Sequence, residues 1–146
     1  MIKVQTNTYK DIDIDIIKVR KTVKKIFELL GQDKNIKIDL NFVSSQMIKE
    51  LNRRFRKKNQ PTTILTFVAS DVKNFIEKPS RFEYLGEIFI CLEEIKKRNL
   101  KAKISTKEGV TEVLVHGILH LLGYTHKKEK DSLLMEQKEK EILSAL

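Results

Sequence analysis

Apolar positions recur along the chain with two different periods, and the switches between them mark its elements. Ile2 to Thr6 alternates apolar and polar residues, the pattern of a half-buried strand. From about Asp13 the spacing lengthens: Ile16, Val19, Val23, Ile26 or Phe27, and Leu30 share one face of a helix that Gly31 closes. Lys18, Arg20, Lys21, Lys24 and Lys25 form its solvated side. Ile36, Ile38, Leu40 and Phe42 then alternate with Lys37, Asp39 and Asn41, predicting a strand with one buried face. Ser44 or Ser45 caps a second helix carrying Met47, Ile48, Leu51 and Phe55 at helical spacing, with Met47 read as core filler. That helix ends in a basic run, and Asn59-Gln60-Pro61 breaks it.

Thr62 to Phe67 is rich in β-branched residues and predicts a strand. Ser70 to Tyr84 is polar, with Pro79 and little periodicity, a loop expected to border a cleft. Leu85 to Cys91 predicts a further strand and Leu92 to about Leu100 a helix, after which Ser105 or Thr106 caps the next one. Val110, Val113, Leu114, Ile118, Leu121 and Leu122 make this last helix apolar nearly all round, which places it at the centre of the fold. Lys127 to Leu146 reads as a terminal helix packed on the body through Leu134, Met135, Ile142 and Leu146. Four strand signals interspersed with helices predict an α+β fold: one mixed four-stranded sheet packed by helices, with the apolar helix central. Sheet order is not readable from these patterns. With 146 residues and no internal repeat or interdomain linker, a single domain spanning residues 1–146 is expected.

Composition adds a partner. Apolar and charged fractions of 40% and 34% are those of a soluble globular protein. The net charge is +9, which favours a polyanionic partner. Five cations fall in the six positions Arg53-Arg54-Phe55-Arg56-Lys57-Lys58. Such clusters bind phosphate backbones by counterion release, with affinity that falls as salt rises. Arg53, Arg54, Lys57 and Lys58 are the expected contacts to a nucleic-acid phosphate backbone. The one cysteine, Cys91, cannot form an internal disulfide and is read as a buried small residue. No apolar run approaches the roughly 20 residues that span a bilayer, and signal-peptide features are absent, so no membrane association and a cytoplasmic location are expected.

The most specific stretch is His-Gly-Ile-Leu-His-Leu-Leu-Gly-Tyr-Thr-His, residues 116 to 126, which holds all 3 histidines. His116 and His120 share a helical face, whereas ten residues of straight helix would carry His126 about 15 Å away. Gly123 stands where the chain must turn back, since glycine accepts the left-handed conformation that ends helices. Three imidazoles then converge on one ion. Zinc suits them, one per chain, because three neutral nitrogens at about 2.0 to 2.1 Å leave a fourth tetrahedral position open, the mark of catalytic rather than structural sites.

This spacing is similar to the metzincin protease signature His-Glu-x-x-His-x-x-Gly-x-x-His. Gly117 stands where those proteases carry their general base, so a metallopeptidase reading loses its main support. Glu112, one turn before His116, is a conceivable substitute but reads better as a solvated helix carboxylate.

Taken whole, His-Gly-x-Leu-His-Leu-x-Gly-Tyr-x-His resembles the signature of the YbeY family of bacterial ribosomal RNA maturation factors. Leu51-Asn52 with Phe55-Arg56 is similar to that family's Leu-Asn-x-x-Tyr-Arg segment. Pro61-Thr62-Thr63-Ile64-Leu65-Thr66-Phe67 is similar to its Pro-Thr-Asp-Val-Leu-Ser-Phe-Pro strand, and Gly86-Glu87-Ile88 to its Gly-Asp-Ile. Thr125 and Thr63 replace usual aspartates, and Val68 follows Phe67 where proline is expected. An aspartate beside a ligand can orient it, so Thr125 bears on metal affinity without removing a ligand.

The resemblance implies the same α+β fold, a metal-dependent endoribonuclease acting on single-stranded RNA, and a role in maturing the small-subunit ribosomal RNA 3′ end and in ribosome quality control. It implies as partners the small ribosomal subunit and its assembly factors, with no DNA. Arg56 is the expected catalytic residue: its planar guanidinium can hold a phosphate bidentately and stabilise charge developing in the transition state. Asn52, one turn earlier, either assists or caps locally. The nucleophile stays open between a metal-activated water and the RNA's own 2′-hydroxyl, and no protein base is evident. A zinc-containing assembly factor that binds RNA without turnover is the alternative.

Overall fold

The structure, a computed structural model, describes residues 1–9, 12–72, 76 and 79–146. Part of the polar loop expected over residues 70–84 lies outside the described residues. The elements run β1 (Ile2–Thr8), α1 (Ile16–Leu29), β2 (Ile36–Phe42), α2 (Ser45–Arg56), β3 (Ile64–Val68), β4 (Glu83–Ile90), α3 (Leu92–Ala102), α4 (Thr106–Leu121) and α5 (Glu129–Ala145). A short 3₁₀ turn, Ala69–Asp71, follows β3. The four strands form one mixed sheet in the order β1-β2-β4-β3. β1 and β2 are parallel, as are β2 and β4, and β3 runs antiparallel to β4 along the opposite edge. The predicted fold class is the one observed.

Local signals explain where the helices start and stop. Asp15, Ser44 and Ser105 accept hydrogen bonds from the first free amides of α1, α2 and α4, the N-cap role of short oxygen-bearing side chains. The cap of α2 is therefore Ser44. Ser45 turns its hydroxyl to the carboxylates of Glu93 and Glu94 instead. α2 stops at Arg56 because Lys57 adopts left-handed backbone, φ 57°, so the chain leaves the helix before Asn59-Gln60-Pro61 is reached. Asn52 is 4% exposed and donates from Nδ2 to the Gln60 carbonyl, tying that exit to the helix. It has the local capping role and no place in the cleft.

One face of the sheet carries the main core. Ile36, Ile38, Leu40, Ile88 and Ile90 meet Val23, Ile26 and Phe27 of α1 and Val113, Leu114 and Ile118 of α4. α4 is buried nearly all round, as its apolar pattern predicts. Fully burying each Leu, Ile or Phe side chain contributes roughly 1.5–3 kcal/mol, so this layer dominates the stability of the fold. Met135 and Ile142 dock α5 on the same core, while Leu134 and Leu146 are exposed. The second face is covered only in part. Ile48 and Leu51 of α2 pack there with Val43, Leu65, Phe67, Phe89 and Cys91. Cys91 is buried as expected. Met47 is not core filler: it is 52% exposed, because Ile48 and Leu51 already turn the helix's buried side to this small cluster.

Gly86 lies where β4 is crowded by β3 and the central helix. Its φ of +135° is open to glycine alone, and a Cβ there would collide with the Phe67 carbonyl oxygen. The same Cβ would lie 3.0 Å from both the Ala69 amide nitrogen and Leu121 Cδ2. The pairing of β2 with β4 slips here between Lys37 and Ile38, leaving Leu85 as the extra residue of a bulge. β4 begins two residues earlier than the apolar run suggests, since Glu83 and Tyr84 still pair with Ile36 and Lys37.

Candidate metal centre

α4 ends with the turn that the histidine site requires. Gly123, at φ +99°, follows the cap residue Leu122. The Gly123 amide donates to the His120 carbonyl and the Tyr124 amide to the Leu119 carbonyl, each at 3.0 Å. This paired closure is the Schellman arrangement, which reverses the chain within two residues. It has two chemical consequences. His126 swings back beside the helix, and the Tyr124 carbonyl comes to lie 2.9 Å from His120 Nδ1.

That carbonyl can only accept, so His120 carries its proton on Nδ1 and keeps a lone pair on Nε2. His116 is oriented in the same way by a different element: its Nδ1 lies 2.7 Å from Glu139 Oε1 on α5. The two Nε2 atoms consequently face each other 3.0 Å apart. One nitrogen from each of His116, His120 and His126 falls within 4.8 Å of the others. A tetrahedral ion at about 2.0–2.1 Å separates its ligands by roughly 3.3 Å, between the 3.0 Å edge and the 4.8 Å limit of this triangle, so small side-chain adjustments admit one. Burial pushes His120 below the usual imidazole range, and its neighbour His116 adds to that shift. Neutral imidazoles with lone pairs turned to a common point are what a divalent cation binds.

Glu139 was beyond sequence reasoning. It lies 23 residues from its partner on an element whose docking no spacing rule reveals. Carboxylate-to-histidine contacts of this kind fix a ligand's tautomer and raise its basicity. Glu139→Gln is therefore expected to weaken metal binding by about 10- to 100-fold while leaving the fold intact. Competition with a chromophoric chelator measures it, and an unchanged affinity would show that the contact orients nothing.

The histidines line a cleft of about 1060 Å³ that also takes in Arg56, Lys58, Thr66, Asp71, Glu83, Tyr124 and Thr125. Arg56 reaches across the end of β3, donating from Nη2 to the Thr66 carbonyl at 2.9 Å. Its guanidinium carbon lies 5.0 Å from the centre of the Phe67 ring. The cation is thus held at the cleft wall by its Nη2 contact to Thr66 and by the Phe67 ring. Of the remaining basic run, Lys58 lines the cleft, whereas Arg53, Arg54 and Lys57 do not. Arg53 pairs instead with Glu50 one turn back. Thr125 lines the cleft beside His126.

Two positions bear on the peptidase comparison. A Cβ at Gly117 would lie 2.9 Å from Ile64 Cδ1 and 3.0 Å from Ile88 Cδ1, so this position faces the sheet and is too crowded for a side chain without repacking. Glu112 faces Arg98 at 3.8 Å and is not among the cleft residues, which leaves it the solvated role. Among the described residues, the carboxylates that line the cleft are Asp71 and Glu83, both inside the stretch read as an unpatterned loop.

Three imidazoles at the floor of an open, partly basic cleft, carried by the central helix of an α+β sheet, define a metal-binding enzyme architecture. The family model described as Endoribonuclease YbeY matches residues 4–146, and the chain belongs to the YbeY family. A relative from Persephonella marina, named Endoribonuclease YbeY, is 37% identical over 127 residues, covering 85% of this chain and 78% of its own. One of the same name from Buchnera aphidicola of Acyrthosiphon pisum is 37% identical over 124 residues, covering 84% and 77%. The solution structure of a Thermotoga maritima protein superposes with a TM-score of 0.66 at 28% identity, covering 99% of this chain and 87% of its own.

Proposed function

We propose that the chain is a single-domain endoribonuclease that cuts single-stranded RNA with one zinc ion held by His116, His120 and His126. The convergence of those three nitrogens within 4.8 Å, in a cleft that Arg56 also lines, carries the reading. Zinc in such a site supplies Lewis acidity toward a phosphoryl oxygen and lowers the pKa of a coordinated water. The protein's own residues do the rest. Glu139 and the Tyr124 carbonyl hold two ligands in the receptive tautomer. Arg56, held by Thr66 and Phe67, presents its remaining guanidinium donors to a phosphate and stabilises the charge that develops on it. Lys58 adds attraction for the backbone.

Single strands suit an open cleft better than duplexes because an unpaired backbone can bend toward its floor. Maturation of small-subunit ribosomal RNA at its 3′ end, ribosome quality control, association with the small subunit and its assembly factors, and a cytoplasmic site of action rest on the family resemblance. Among the described residues no helix is long and apolar enough to cross a membrane. A peptidase is disfavoured, since Gly117 has no room for a base and Arg56 occupies the Thr66 carbonyl on the edge strand.

Arg56→Ala tests the reading on a labelled single-stranded ribosomal RNA fragment. The loss of one preorganised donor to the transition state is expected to lower kcat by about 100- to 1,000-fold. Metal content should stay at one ion per chain. If RNA binds and the wild type turns nothing over, the protein is a zinc-containing RNA-binding assembly factor instead.

A further inference from the structure

Phe55 stands out because the fold has no use for it. It sits at an apolar helical position of α2, yet it is 53% exposed while Ile48 and Leu51 turn into the small core beneath. Its ring is nevertheless not loose. It meets Phe67 edge-on, with centroids 5.3 Å apart, and Phe67 meets Phe89 in the same manner at 5.7 Å. This ladder of rings roots the exposed one in the sheet. Arg54 is also near Phe55, its guanidinium carbon 5.6 Å from the ring centre.

The setting of this ring is cationic and continuous with the cleft. Arg56 rests on Phe67, the ring that supports Phe55, and lines the cleft together with Lys58. An exposed, backed aromatic face among arginines and lysines matches single-stranded nucleic acid in two respects at once. Phosphates take the cations, and an unpaired base offers a π face to the ring. A protein partner would meet an apolar spot beside the cations Arg54, Arg56 and Lys58, a poor interface core.

We propose that Phe55 is a base-stacking platform for an unpaired nucleobase of the RNA strand, adjoining the phosphate held at Arg56. This deepens the endoribonuclease reading and rests on it: the cleft takes the scissile phosphate, and Phe55 takes a neighbouring base. Stacking on a flat ring tolerates any base, so the platform favours unpaired over paired RNA without selecting sequence. Duplex bases, already stacked on one another, have no face to give.

The chain contains no tryptophan, so Phe55→Trp places a single fluorophore at the platform. Added oligoribonucleotide is expected to quench that fluorescence, whereas inorganic polyphosphate, which offers charge without bases, leaves it unchanged. Phe55→Ala should weaken single-stranded RNA binding roughly tenfold or more while polyphosphate binding is retained. The ring is half exposed, so its removal spares the core, and circular dichroism verifies the fold. RNA that binds and is cut by the wild type, with neither quenching nor a loss of affinity in the variants, overturns the platform alone. Wild-type protein that neither binds nor cuts RNA overturns the endoribonuclease reading and the platform with it.

Discussion

His120→Ala is expected to abolish RNA cleavage, by about 1,000-fold or more, and to strip the protein of its metal. The magnitude follows from what the ion supplies, several kcal/mol of charge stabilisation in the transition state. The ring of His120 lies 4.6 and 5.0 Å, centroid to centroid, from those of His116 and His126, and its orientation is set by the turn that returns His126. Two imidazoles left behind cannot enclose a divalent ion tightly, so metal analysis should fall well below one equivalent per chain. Cleavage that survives in metal-free His120→Ala protein would place the chemistry elsewhere.

Gly86→Ala is expected to be the most damaging small change to the fold. The new methyl group would strike the Phe67 carbonyl oxygen, crowd Leu121 and force alanine into a φ of +135°. Strained backbone of this kind costs about 1–3 kcal/mol, and overpacking about as much again. A total near 3–5 kcal/mol would lower the thermal midpoint by roughly 10 °C or more in a chain of this size. Since Leu121 immediately follows His120, cleavage should fall in the fraction that stays folded. A variant that melts with the wild type would mean that β3 and α4 can yield at this point, contrary to their packing.

What the sequence disclosed of this architecture depended on whether the information was local. The strand β2 and the helices α1 and α4 announce themselves because each buries one periodic face in a single core. The convergence of the histidines was legible for the same reason: two imidazoles are one helical turn apart, and the third follows a glycine whose positive φ closes that helix. α2 misled because it carries apolar residues on two sides. Met47 and Phe55 are exposed, and only the Ile48 side meets the sheet.

Long-range features left no such trace. Glu139 reaches His116 only because Met135 and Ile142 seat α5 on the core, and nothing in its own neighbourhood marks it among many surface carboxylates. The insertion of β4 between β2 and β3 is likewise a property of the assembled sheet. The start of β4 hid in a polar stretch because the second face of the sheet is largely open. There Tyr84 donates to Asp39, and Asn41 donates to Glu87, so polar residues satisfy one another across strands. Burial and the nearby Asp39 raise the Glu87 carboxyl above its ordinary value, with burial the larger cause.

The most direct measurement is titration of metal back into chelator-stripped wild-type protein, following cleavage of single-stranded RNA after each addition. Activity is predicted to be absent at the start, to rise in proportion to zinc, and to level off at one ion per chain. Full cleavage by the stripped protein, or a rise that ignores the equivalence point, would contradict a catalytic ion at His116, His120 and His126.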